Sequence, residues 1–190
     1  SLSRAEAALR ASDWIAARDL FEAAMATEPT PEAMDGLGQA QWWIGDTEDA
    51  LAMRARAYAI YRRQGRVTDA SRLAIWLALQ HGATPGRETV AGGWISRAER
   101  IAAPDAASTG WLALARSGLE TDPIKMTDLA TQALELGRAS SDIELEIRGL
   151  ARSGLALVSS GRVDEGMRRL DEAMAAASAG ESDRPEVFAE

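Results

Sequence analysis

The chain has 190 residues, 46% of them hydrophobic and 26% charged, with 21 basic against 29 acidic side chains for a net charge of −8. That length supports one domain with a continuous core, and the acidic balance argues against a broad surface for nucleic-acid phosphates or anionic lipid. Zero cysteines exclude disulfides, thiolate catalysis and the common structural zinc sites, and a single histidine leaves no His cluster for a metal.

Thirty-nine alanines and few Val, Ile or Thr predict helix throughout. The first hairpin is expected over about 3–28, where Ser12-Asp13-Trp14 precedes Ala17, Phe21 and Ala24. The second spans about 31–62, with Gly45-Asp46 before Ala50, Arg54 and Ala57. In both, a small or polar break is followed by a stripe at spacings of 4 and 3, which lie on one helix face. Small members of such a stripe let another helix approach closely.

The third hairpin, about 66–103, joins an apolar helix over 69–81 to a partner helix around 91–102 carrying Trp94, Ala98 and Ile101. Between them, 82–92 reads as the longest loop. The fourth, about 108–138, pairs Trp111, Leu112 and Leu114 with Met126, Leu129, Ala133 and Leu134. Pro123 suits the first turn of its second helix, with Asp122 or Thr121 as cap. The fifth, about 142–178, repeats the break and stripe as Gly161-Arg162-Val163 before Gly166, Leu170 and Ala173.

First helices match as well. Met34, Leu37, Gly38 and Gln41 align with Leu150, Ser153, Gly154 and Leu157. A mid-helix glycine costs about 1 kcal/mol relative to alanine, so one at the same place in two hairpins predicts close helix packing there. The fold expected is all-α: an α-solenoid of about five antiparallel helix pairs in one domain. Pro185-Glu186-Val187-Phe188-Ala189 reads as the opening of another helix, and the chain lacks an initial methionine. These residues are expected to be a fragment of a longer protein.

These marks resemble the tetratricopeptide repeat family. They are Trp14, Ala17, Phe21, Ala24 and Pro29 in the first hairpin, and Leu37, Gly38, Gly45, Asp46, Ala50 and Ala57 in the second. Gly154, Gly161, Gly166, Leu170 and Ala173 carry them in the last. Arg54 departs from the pattern, standing where the family prefers a large apolar residue, and the stretches 69–102 and 108–138 match less closely. The phrases TPEAMDGLGQAQWWIGDTEDALAMRARAYAIYRR at 30–63 and GLALVSSGRVDEGMRRLDEAMAAASAGE at 154–181 resemble the repeat region of actinobacterial LuxR-type transcriptional regulators. That resemblance implies a regulatory array whose DNA-binding helix-turn-helix lies elsewhere.

Candidate binding residues follow from the first helices, which line the partner-binding surface in such repeats. Asp35, Gln39, Trp42 and Trp43 flank the packed stripe of the second hairpin. The two adjacent tryptophans point about 100° apart and cannot share a face. Trp14, Trp76, Trp94 and Trp111 read as core. His81 falls at a helix end, where an imidazole can meet carbonyl groups, and Arg116, Arg148 and Arg152 could read a partner's carboxylate. Glu144/Glu146 and Asp164/Glu165 read as solvated faces.

No phosphate-binding loop, nucleophile elbow, dinucleotide fingerprint or zinc-protease motif occurs. No catalytic residue, cofactor or metal ligand is therefore expected, and the function indicated is a non-catalytic protein-interaction or regulatory module. The alternative is a small-molecule effector sensor with a pocket among the middle helices near 76–111. The expected partner is a protein or peptide, with a second copy docking on the uncapped C-terminal end as a variant. No direct nucleic-acid contact is expected of this region. No apolar run reaches the roughly 18 residues of a membrane span, and residues 1–15 are too polar for a signal peptide, so the expected location is cytoplasmic.

Overall fold

A computed structural model of the chain describes residues 2–180; the expected helix opening at Pro185 lies outside them. The described residues form ten α-helices and no strand. In chain order these are α1 (Leu2–Arg10), α2 (Trp14–Thr27), α3 (Pro31–Ile44), α4 (Thr47–Arg63) and α5 (Val67–Gly82). They continue as α6 (Glu88–Glu99), α7 (Ala106–Leu119), α8 (Pro123–Ser140), α9 (Ile143–Ser159) and α10 (Val163–Ser178). The fold is all-α, and no helix among the described residues is long and apolar enough to cross a membrane. The chain divides into two compact units, one through Leu77 and one from Ala78 onward.

In the first unit, α1 packs on α2, α2 on α3 and α3 on α4, while α1 also reaches α3. Phe21 and Ala17 of α2 lie buried with Ala5 of α1 and Ala33, Leu37 and Ala40 of α3. In the second unit, α6 through α10 each pack on the next helix in the chain, and α7 also meets α9. Its core includes Ala113, Leu114, Ala133 and Leu145, and beyond them Leu134, Ile147, Leu150, Ala173 and Ala177. Packing chiefly between chain neighbours, through short connections, is the arrangement of an α-solenoid within each unit.

Five helix starts are closed by a side-chain cap. Asp13, Thr30, Asp105, Asp122 and Asp142 each accept a hydrogen bond from a backbone N–H in the first turn of the helix that follows, which satisfies donors that have no intrahelical partner. Asp122, not Thr121, caps α8, with Pro123 in its first turn. Gly45 ends α3 at φ +95°, a left-handed conformation that costs glycine little.

The connection expected over 82–92 is shorter than the sequence suggests. Two of its three glycines mislead: Gly82 closes α5 and Gly92, followed by Gly93, lies within α6, while Gly86 alone sits in the connection. Accordingly α6 begins at Glu88 and ends at Glu99, about three residues earlier than expected. Burial of Ala91, Ile95 and Ala98 along one stripe of α6 offsets the weak propensity of the paired glycines.

The matched glycines perform the same task. A Cβ on Gly38 would lie 2.6 Å from Cγ of Arg54 and 3.1 Å from the Ala50 carbonyl. A Cβ on Gly154 would lie 2.8 Å from Cγ of Leu170 and 2.9 Å from the Gly166 carbonyl. In both hairpins the second helix rests on bare backbone of the first, through equivalent residues.

Candidate functional site

The repeat register places Arg54 where the last hairpin has Leu170, so a cation occupies an apolar site. Its side chain is only 5% exposed. A buried cation requires a partner, and α3 supplies one. Arg54 Nε donates to Asp35 Oδ1 at 2.8 Å, and Arg72 of α5 donates to Asp35 Oδ2. The Arg54 guanidinium also lies over the Trp76 ring, 4.0 Å from its centroid. Asp35 is thus held between two guanidinium groups from the flanking helices.

Burial alone would push the Asp35 carboxyl up. The charges of Arg54 and Arg72, with their hydrogen bonds, outweigh it and hold the group below the ordinary carboxylate range. A second cluster adjoins it. Arg66 donates to Glu32 and, at 2.9 Å, to Asp69 Oδ2, and its guanidinium stacks 4.4 Å from the Tyr61 ring centroid. Burial, with the nearby charges of Asp35 and Glu32, pushes the Tyr61 phenol up to about 12.

Trp42 and Trp43 part company as their spacing requires. Trp42 meets Trp76 edge-on, ring centroids 5.3 Å apart and planes at 82°. Trp43 stacks on Trp14 at 5.3 Å and 20°. Both are half-buried, each taken up by a different neighbouring helix. Asp35, Gln39 and Trp42 lie on one face of α3, the face that meets Arg72 and Trp76 of α5. Gln39 is half-buried, and the Arg72 side chain is 41% exposed. The outer part of this cluster is the Arg72 guanidinium, carried on α5 four residues before Trp76.

The remaining candidates lie in the second unit. His81 is half-buried in the last turn of α5. Arg116 is exposed and donates through Nε to Glu99 at 3.0 Å. Arg148 is buried, 3.4 Å from Glu144 and 5.9 Å from the Trp111 ring centroid. Glu144 is therefore inside a charged contact rather than on the solvated face expected of it. Arg152 reaches the end of α7, donating to the Ser117 carbonyl at 2.6 Å, a favourable place for a cation at a helix C-terminus. Trp111 does not lie purely in core, since its Nε1 donates to Asp142 Oδ2 at 2.8 Å.

Arg54 and Arg72 were missed as site residues, and Trp76 was read as core alone. Arg54 had a signal in the sequence: a cation interrupting a small–large–small stripe demands a carboxylate. Nothing local identified that carboxylate as Asp35, 19 residues away, or Arg72 as its second partner. Among the described residues no group of three or more His, Asp or Glu side chains is placed to hold a metal ion. A cavity of about 340 Å³ lies between α9 and α10, lined by Ile143, Ile147, Leu150 and Ala176 with Glu146 and Glu172; it does not involve the middle helices. No family model, curated protein or solved structure matches this chain.

Proposed function

We propose that this chain is a non-catalytic interaction or regulatory module that takes a partner peptide or helix on the α3–α5 side of its first unit. The observation that carries this reading is Arg72. It is anchored on the buried Asp35 carboxylate yet remains 41% exposed, one helical turn before Trp76, which pairs with Trp42. An oriented guanidinium accepts a carboxylate well, and partly exposed tryptophans take an apolar side chain. The partner chemistry that fits is an apolar or aromatic residue close to an Asp, a Glu or a C-terminal carboxylate.

The sequence marks of tetratricopeptide repeats support a module of this kind. The narrower resemblance makes it part of a LuxR-type transcriptional regulator working in the cytoplasm. On that reading the partner contact regulates a DNA-binding segment that is not among the helices described. The test is a titration of peptides that pair an aromatic residue with a carboxylate, followed by tryptophan emission. Binding should weaken at least tenfold in Arg72→Ala and in Trp42→Ala. Equal affinity for peptides with the carboxylate amidated would refute the assignment.

A further inference from the structure

In the first unit the chain that follows the α3–α4 hairpin comes back to cover it. Arg72 of α5 donates to Asp35 of α3, and Trp76 lies against Arg54 of α4. The register that matches Gly38 and Arg54 with Gly154 and Leu170 puts Ala151 in the place of Asp35 and Met174 in the place of Tyr58. Tyr58 is buried, whereas Met174 is 68% exposed. Leu155, in the place of Gln39, is 48% exposed. The side that is charged and covered in α3–α4 is therefore apolar in α9–α10, and open among the described residues.

The chain beyond α10 carries the matching chemistry. Helices α4 and α10 end alike: each C-cap is followed by a glycine in the left-handed region, Gly65 at φ +70° and Gly180 at φ +71°. Counting from these turns takes Arg72 to Val187, and the register that takes Arg54 to Leu170 takes Arg72 to Phe188. Those two are the only large aliphatic or aromatic side chains in residues 181–190, and Pro185-Glu186 just ahead of them suits a first helical turn. By either count, a position that is a cation where it meets Asp35 is apolar where it would meet Ala151. Asp35, Arg54 and Arg72 thus have as counterparts Ala151, Leu170 and the Val187-Phe188 pair. The whole charged cluster is replaced by an apolar one, whose contact removes apolar surface from water on both sides.

We propose that residues 181–190 turn back across the end of α10 and seat Val187 and Phe188 on the face formed by Ala151, Leu170 and Met174, as Arg72 is seated on Asp35. The occupant of this face is a segment of the same chain. The test exploits the absence of native cysteine. A Met174→Cys thiol in the 190-residue chain is labelled with a water-soluble maleimide, and the rate is compared with that in the same chain carrying Val187→Asp/Phe188→Asp. The two aspartates should speed labelling roughly fivefold or more by opening the face. Added carboxylates alone would act in the other direction, raising the thiol pKa and slowing the reaction. Phe188→Leu, which keeps the position apolar, should leave the slow rate in place. Ala175→Cys, exposed on another side of α10, should label at one rate in every background. Equal rates at Met174→Cys with and without the two aspartates overturn the proposal, as does an equal acceleration at Ala175→Cys, which would mean that α10 itself had frayed. So does protection that grows with protein concentration, the mark of a second copy. Trp42→Ala should leave these rates unchanged, which separates this result from the fate of the α3–α5 partner reading.

Discussion

The guanidinium of Arg54 sits 2.8 Å from the Asp35 carboxylate at the place where the last hairpin packs Leu170 beside Gly154. One repeat position has thus been solved in two ways, by an ion pair in one hairpin and by an aliphatic side chain in the other. Breaking a buried pair by removing one partner costs about 3–5 kcal/mol, whereas replacing both with apolar residues is often neutral. Asp35→Ala and Arg54→Leu should each lower stability by about that amount. The double variant, which installs the residues of the last hairpin, should recover most of the loss. Urea unfolding of the four proteins measures the coupling, and strictly additive losses would contradict the pairing.

Acid should act through the same carboxylate. Because the folded Asp35 group lies below its ordinary range, its contribution is complete above the unfolded carboxyl value of about 3.9. It is lost as pH falls through the folded value. Glu32 is shifted in the same direction: burial opposes the shift, and the hydrogen bond from Arg66 overcomes it. Urea midpoints of the wild type should therefore fall more steeply between about pH 5 and pH 2 than those of Asp35→Ala/Arg54→Leu. Parallel curves for the two proteins would count against a role for Asp35.

The small residues of the repeat stripes leave no room for larger ones. Ala17 and Ala50 are wholly buried. Arginine at either site should cost on the order of 3 kcal/mol, or roughly 6–12 °C in Tm. A thermal melt of each variant checks the register, and an unchanged Tm would refute it.

Two glycines should respond in opposite directions to the same substitution. A Cβ on Gly166 would lie 2.6 Å from both the Gly154 carbonyl and Val158 Cγ2, so Gly166→Ala should destabilise by about 1–3 kcal/mol. Gly93, inside α6, has nothing within 4 Å of its would-be Cβ. There Gly93→Ala should stabilise by about 0.5–1 kcal/mol through helix propensity alone. Calorimetric melts of the two variants give the signs directly.

Hairpins were legible wherever the signal was local. A capping residue such as Asp122 announces a helix start, and the 4 and 3 spacings of Ala50, Arg54 and Ala57 report which side is packed. Gly38 and Gly154 could be paired by alignment because the same close approach demands the same missing side chain. The middle of the chain was harder: Gly92-Gly93 mimics a loop, and only the burial of Ala91, Ile95 and Ala98 shows a helix that tertiary packing sustains. The Asp35 cluster was half legible. Asp35 was found on its helix face, but its partners come from α4 and α5, and pairing over 19 and 37 residues leaves no trace in local pattern.

The adjacent tryptophans of α3 have a spectroscopic consequence. Trp43 takes its surroundings from α2 and Trp42 takes them from α5, so two neighbouring chromophores gauge two different seams. Separation of α5 from α3 would redden the emission of Trp42 and leave that of Trp43 nearly constant; loss of the α2 seam would do the reverse. Variants retaining one of these indoles at a time would show whether the two seams open together or in succession as the first unit melts.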